Sequence, residues 1–165
     1  TIERPGKAQD GHCHTAKGRI IDGWLGADTD EEFESLHKHG AKTIAIGDGG
    51  NELGTGKLFN VTRRMVDHGE DIAAAQTADI TLASGVSNWW GWGIAAIASV
   101  YLNRNVLPDE HEERAVLRAI LDAGAVDGIT KRSEESIDNI DIDKHIALLN
   151  EVHGMVKNHL DKQAE

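Results

Sequence analysis

A short apolar run, Thr43-Ile44-Ala45-Ile46, empties directly into Gly47-Asp48-Gly49-Gly50-Asn51-Glu52-Leu53-Gly54-Thr55-Gly56-Lys57. The run has no polar alternation, which is the pattern of a strand covered on both faces, and such strands belong to parallel sheets crossed by helices. Five glycines within residues 47–56 then restrict the loop. Backbone that bare either approaches something closely or turns through positive φ.

The remaining pattern alternates strands with helices. Residues 18–24 read as extended, and Thr29 with Glu32 reads as a capping box for a helix to about His39, stopped by Gly40. Residues 58–68 carry helical spacing up to Gly69, residues 72–75 read as a weak strand, and residues 78–84 as a further strand. That strand runs into a second glycine block, Gly85-Val86-Ser87-Asn88-Trp89-Trp90-Gly91-Trp92-Gly93. Residues 94–103, nearly all apolar or small, predict a buried helix capped by Ser87 or Asn88. Asp109 and Glu112 cap another through Ala123, and residues 141–160 place Ile142, Ile146, Leu149, Val152, Val156 and Leu160 at steps of three and four. The expected fold is one α/β domain over residues 1–165: an open, mostly parallel sheet with helices on both faces, in three layers. Ligands of such sheets sit at the carboxyl ends of the strands, where both glycine blocks lie. The chain opens on Thr1 rather than Met and reads as part of a longer polypeptide.

Charge narrows the partners. Seventeen Lys and Arg against 28 Asp and Glu leave a net charge of −11, which argues against nucleic acid and anionic membranes and suits a cytoplasmic protein, a saline cytoplasm included. No apolar run approaches the roughly 18 residues that cross a bilayer. Cys13 is the single cysteine, so no internal disulfide holds the fold.

The glycine loop fails both familiar phosphate-binding patterns. A Walker A loop requires glycine where Asn51 stands and Ser or Thr where Leu58 stands; the dinucleotide fingerprint requires glycine at Glu52. Asp48 and Glu52 would also repel a phosphate, by roughly 4 kcal/mol for like charges about 4 Å apart at an effective dielectric near 20. Amide donors beside two carboxylates describe instead a site that stabilises an oxyanion and moves protons, or a strand-to-helix turn whose acids cap the next helix. Magnesium or manganese between Asp48 and Glu52 would have suitable oxygen ligands, though two carboxylates do not define a metal site. His12 and His14 flank Cys13 at a spacing that can supply two transition-metal ligands, but no third ligand stands nearby in the sequence. Trp89, Trp90 and Trp92 either wall a small pocket, pack in the core, or form a contact between copies in a homo-oligomer.

Four blocks, Glu3-Arg4-Pro5-Gly6, residues 46–56, residues 85–93 and residues 124–130, resemble in sequence and order the D-glutamate cyclase family. The resemblance implies an α/β domain at the C-terminal part of a longer protein and the dehydration of D-glutamate to 5-oxo-D-proline, with microbial members cytoplasmic and animal ones mitochondrial. Three positions depart from the family pattern: Thr55 replaces a Met, residues 11–18 lack an aromatic-rich segment, and Ile137-Asp138-Asn139 replaces a second Val-Asp-Gly. For this cyclisation Asp48 and Glu52 are the expected catalytic pair, one taking the amine proton and the other protonating the leaving oxygen. The amides of Gly49 and Gly50 are the expected oxyanion donors. Asn51, Ser87 and Asn88 would orient the amino dicarboxylate substrate, Arg4 would clamp its α-carboxylate, and Asp127 of the family's Val-Asp-Gly would join them or act as a turn acid. Competing expectations are a domain that binds a small acidic metabolite without turnover, and a truncated domain that needs upstream residues.

Overall fold

Strand β1 (Ile44–Gly47) forms where the apolar run predicts it, with Ala45, Ile46 and Gly47 buried. In the computed structural model, which describes residues 1–163, it pairs in parallel with β2 (Ile80–Ala83), from Ile44 opposite Ile80 to Gly47 opposite Ala83. The chain divides into two compact units, Thr1–Ser87 and Asn88–Glu165.

In the first unit the starts of both strands are stapled together by a reciprocal pair. Asp79 Oδ2 accepts from the Thr43 amide at 2.9 Å and the Thr43 hydroxyl at 3.0 Å, while the Asp79 amide donates to Thr43 Oγ1 at 2.9 Å. These bonds from Thr43, reinforced by Lys42 and opposed by burial, hold the Asp79 carboxyl down to about 2, against an ordinary value of 3.8. A depressed carboxylate stabilises the fold above its unfolded pKa, and that contribution is lost as pH falls through the folded value. Wild type and Asp79→Asn are therefore expected to differ in urea midpoint at pH 6 and to converge as the pH falls from about 4 towards 2. Parallel loss curves for the two proteins would show that this staple contributes nothing.

Helix α1 (Thr29–Lys38) is capped one residue earlier than its sequence suggests. Asp28, not Thr29, accepts the Glu31 amide, and the Thr29 hydroxyl is taken by Arg4. Gly40 at φ +85° follows the helix as expected. Residues 18–24 contribute only isolated bridging and a 3-10 turn at Asp22–Trp24. The long helix expected over 58–68 is broken: α2 (Phe59–Met65) ends at an extended Val66, and α3 (Gly69–Ile72) starts after His68 in a left-handed conformation. Gly69 opens α3 because a Cβ there would lie 2.1 Å from the Thr62 carbonyl. Residues 73–75 are not a strand, although they are buried or half-buried; their amides serve loops, Ala74 donating to Gly50 O and Ala75 to Lys7 O. Phe33, Ala45, Leu53 and Ala78 form the core cluster of this unit.

The second unit is helical. Helix α5 (Glu110–Asp122) carries the capping box predicted for Asp109 and Glu112, with both reciprocal bonds made. Helix α6 (Ile142–Gln163) buries Ile142, Ile146, Leu149 and Val156 of the predicted stripe against α4 (Asn88–Tyr101) and α5, with Trp92, Leu107 and Leu117 completing the cluster. Helix α4 is not buried all round: Trp92 and Ser99 are, whereas Ile97 and Tyr101 are exposed. Between α5 and α6 lies an unanticipated hairpin, β3 (Ser136–Ile137) and β4 (Ile140–Asp141). Asp138 and Asn139 at φ +52° and +61° form its two-residue turn, a conformation that Asp and Asn tolerate.

The fold is thus mixed α/β with a parallel pair at its start. Among the described residues that sheet has two strands, narrower than the open multi-strand sheet the sequence suggests. No described helix is long and apolar enough to cross a membrane.

Candidate functional site

The glycine loop leaves the carboxyl end of β1 and folds around one of its own side chains. Glu52 is 4% exposed, and its carboxylate receives three backbone amides: Asp48 and Gly49 donate to Oε1 at 3.0 and 2.7 Å, and Gly50 to Oε2 at 2.8 Å. Consecutive amides of this kind form a nest that receives an anion. Here the anion belongs to the loop itself. The glycines follow from that closeness: a Cβ at Gly47 would lie 2.3 Å from Glu52 Oε2, and one at Gly50, where φ is +80°, would lie 2.2 Å from Thr62 Oγ1.

Asp48 is the exposed member of the pair. Its Oδ2 accepts from the amide of the buried Ser87 at 3.2 Å and from the Ser87 hydroxyl at 3.4 Å, which ties the first glycine block to the start of the second. A third carboxylate joins them. The N-terminal segment runs parallel to β1 through Ile2 opposite Ile46, then turns at Glu3 with φ +54°. Oxygens of Glu3, Asp48 and Glu52 come within 4.8 Å of one another, the one group of three such ligands among the described residues. An all-oxygen donor set fits magnesium or manganese in kind, with substrate or water completing six ligands.

Beside the carboxylates lies a cavity of about 120 Å³, lined by Asp48, Gly50, Glu52, Thr55, Leu58 and Thr62 among others, with no lysine or arginine in its wall. Several expected partners are engaged elsewhere. The Arg4 guanidinium donates from Nε to Thr29 Oγ1 at 2.8 Å and from Nη2 to the carbonyls of Ala27 at 2.7 Å and Leu25 at 3.3 Å. Asn51 Nδ2 donates to the His14 carbonyl at 2.8 Å. Asn88 is exposed and opens α4 in the second unit.

Asp127 also lies in the second unit, 4% exposed, and holds a loop closed. Oδ1 accepts the amides of Ile129 and Thr130 at 2.8 Å, and Oδ2 the Ser136 hydroxyl at 2.6 Å and the Asn139 amide at 2.9 Å. Burial alone would raise its pKa; the hydrogen bonds, led by that of Ser136, outweigh it and hold the carboxyl well below the usual range. This is the turn-acid geometry.

His12 and His14 do not converge on a shared ligand. His12 pairs with Asp22 at 2.6 Å and His14 with Asp10 at 3.0 Å, while Cys13 lies buried with its thiol pushed up to about 11, chiefly by burial. Trp92 is buried and donates to Glu113 Oε1; Trp89 donates to Nδ1 of the fully buried His145 at 3.0 Å.

Sequence reading singled out Arg4 in Glu3-Arg4-Pro5-Gly6 and passed over Glu3. The available signal was the first residue of the same block, since the antiparallel contact of Pro5 with Glu52 draws that whole block onto the glycine loop.

The family model for the D-glutamate cyclase-like C-terminal domain matches residues 1–153. The chain is also 36% identical over 116 residues to the human D-glutamate cyclase, mitochondrial; that match takes in 65% of this chain and 19% of the human protein. The chain therefore spans about a fifth of the length of that relative. With nearly its whole described length matched, the chain belongs to the D-glutamate cyclase-like C-terminal family.

Proposed function

We propose that this domain dehydrates D-glutamate to 5-oxo-D-proline, with Asp48 as the carboxylate that moves protons and Glu52 as the residue that holds the loop in shape. The observation that carries this reading is the convergence of Glu3, Asp48 and Glu52 at the end of β1. Three carboxylates repel the substrate's carboxylates and attract its ammonium, so the amine is the group that belongs beside Asp48.

The reaction balances within one small site. The α-nitrogen attacks the side-chain carboxyl carbon, a C–N bond forms and a C–O bond breaks; the nitrogen gives up two protons, and the departing oxygen takes two and leaves as water. A single exposed carboxylate lying between nitrogen and oxygen can pass both, which is the role assigned to Asp48. Ser87, with its amide and hydroxyl on Asp48 Oδ2, fixes that carboxylate in place. The amides of Gly49 and Gly50 donate to Glu52, so in this arrangement they shape the site and do not serve the oxyanion directly. Magnesium or manganese held by Glu3, Asp48 and Glu52 would, when bound, polarise a substrate carboxyl oxygen. Asn51, Asn88, Arg4 and Asp127 are left out of the chemistry on this reading. The domain would act within a longer protein, as the family's C-terminal designation suggests.

One observation favours a second reading, in which the domain holds a small acidic metabolite by its ammonium group without turnover: the loop's amide donors are engaged by Glu52 and leave no oxyanion stabilisation for the chemical step. Incubation with D- and L-glutamate followed by chiral chromatography separates the two. The proposal expects 5-oxo-D-proline from the D isomer. Saturable D-glutamate binding with no product, with and without added magnesium or manganese, would replace it with the second reading.

A further inference from the structure

A cavity of about 170 Å³ lies between the N-terminal segment and the loop ahead of α1, lined by Arg4, Lys7, Cys13, Leu25, Ala27 and Asp30 among others. We propose that this cavity is a second small-molecule site, one that takes a free α-amino acid as its zwitterion.

The argument starts at Asp30, which is only 2% exposed. Its Oδ1 accepts the Lys7 amide at 2.8 Å, and Oδ2 has no hydrogen-bond partner among the described residues. The one fully enclosed side-chain polar atom without a partner among those residues is Gln76 Oε1. Asp30 Oδ2 therefore opens onto space, and the space that Asp30 lines is this cavity. A carboxylate so largely withdrawn from water, with one oxygen lacking a protein donor, is costly, and an ammonium group in the cavity supplies both the donor and the compensating charge. The neighbouring acids are already matched. Asp28 holds the Lys7 ammonium and the Glu31 amide, and Asp22 holds His12 and the Cys13 amide. Burial first, and then the charge of Asp28, raises the pKa of Asp30, against the Lys7 hydrogen bond and the charges of Lys7 and Arg4.

The same wall provides for a carboxylate. Arg4 is fixed through Nε and Nη2 to Thr29, Leu25 and Ala27, and its Nη1 has no partner among the described residues. A clamped guanidinium with a free nitrogen is well suited to receive a carboxylate. At about 30 Å³ per water molecule, the cavity has room for several waters, or for the ammonium, α-carbon and carboxylate of an amino acid with a small side chain. Cys13 adds an apolar wall and no covalent chemistry, with its thiol held up at about 11 by burial. This site shares no lining residue with the cavity beside Asp48, and the inference does not depend on the cyclisation.

Glycine is the probe of choice, because it lacks the second carboxyl group needed to cyclise and fits the volume. Followed by amide NMR, it should shift Gly26 and Ala27 saturably, with a Kd of about 1–10 mM, the order expected of two charged contacts in a small ligand with little further surface to bury. Asp30→Asn, which keeps the acceptor for Lys7 and removes the charge, should weaken binding at least about tenfold. Ala27→Leu, a substitution at an exposed position that fills the cavity, should abolish it, and it decides the matter if Asp30→Asn does not fold. Absence of saturable shifts at Gly26 and Ala27, or binding retained in Ala27→Leu, would overturn the proposal. Methylammonium binding as tightly as glycine would overturn the part assigned to Arg4.

Discussion

Glu52→Gln is expected to lower the melting temperature of the Thr1–Ser87 unit by about 10 °C or more, measured by calorimetry. The carboxylate meets three amide donors and no acceptor, on both of its oxygens. A glutamine can keep its oxygen on Asp48 and Gly49, but its NH₂ group then faces the Gly50 amide, donor against donor. The loss of a charge-assisted bond and the stranding of the half-buried Gly50 amide together cost about 2–4 kcal/mol. Gly47 and Gly50 leave no slack for the side chain to turn away. The sequence makes Glu52 one of an expected catalytic pair; its three amide bonds support a role in holding the loop instead. An unchanged melting temperature would return Glu52 to the proton-transfer role.

Asp48→Asn should do the opposite. Asp48 is exposed, and an amide oxygen can still accept from Ser87, so the melting temperature should stay within about 1–2 °C of wild type. Formation of 5-oxoproline should fall by about 10²–10⁴, the usual worth of a positioned acid or base. The loss should appear in kcat, because Glu3 and Glu52 still attract the ammonium. Turnover at the wild-type rate would remove Asp48 from the mechanism and leave Glu3 as the remaining exposed carboxylate of the trio.

These two substitutions mark where the sequence is legible. Regular periodicity is readable: β1 follows from four apolar residues, and α5 and α6 from a capping box and an apolar stripe. The same reasoning misjudged residues 72–75, whose apolar character reflects burial under loops without a strand partner. It also missed the β3–β4 hairpin, although Asp138-Asn139 is a recognisable two-residue turn, because the flanking strands have two residues each and no period to detect. In the site, the glycine loop and its two acids were visible in the sequence. That Asp48 faces outward while Glu52 folds into its own loop was not, since it depends on three amide directions that residue types do not encode. Arg4 illustrates the complementary limit: its charge is visible in the sequence, but the carbonyls of Leu25 and Ala27 that claim it are acceptors that every residue carries.

The placement of the tryptophans has a practical consequence for all such measurements. Trp89, Trp90 and Trp92 are in the second unit and at least partly enclosed, while Trp24, the one tryptophan of the first unit, is 73% exposed in the folded state. Intrinsic fluorescence during unfolding will consequently be dominated by the Asn88–Glu165 unit, and the emission of Trp24 will hardly change. A variant of the glycine loop could lose its local structure while the emission spectrum stays native. Optical screening by tryptophan emission would then pass Glu52→Gln as folded, so an inactive loop variant needs a backbone-sensitive probe before its defect is assigned to chemistry.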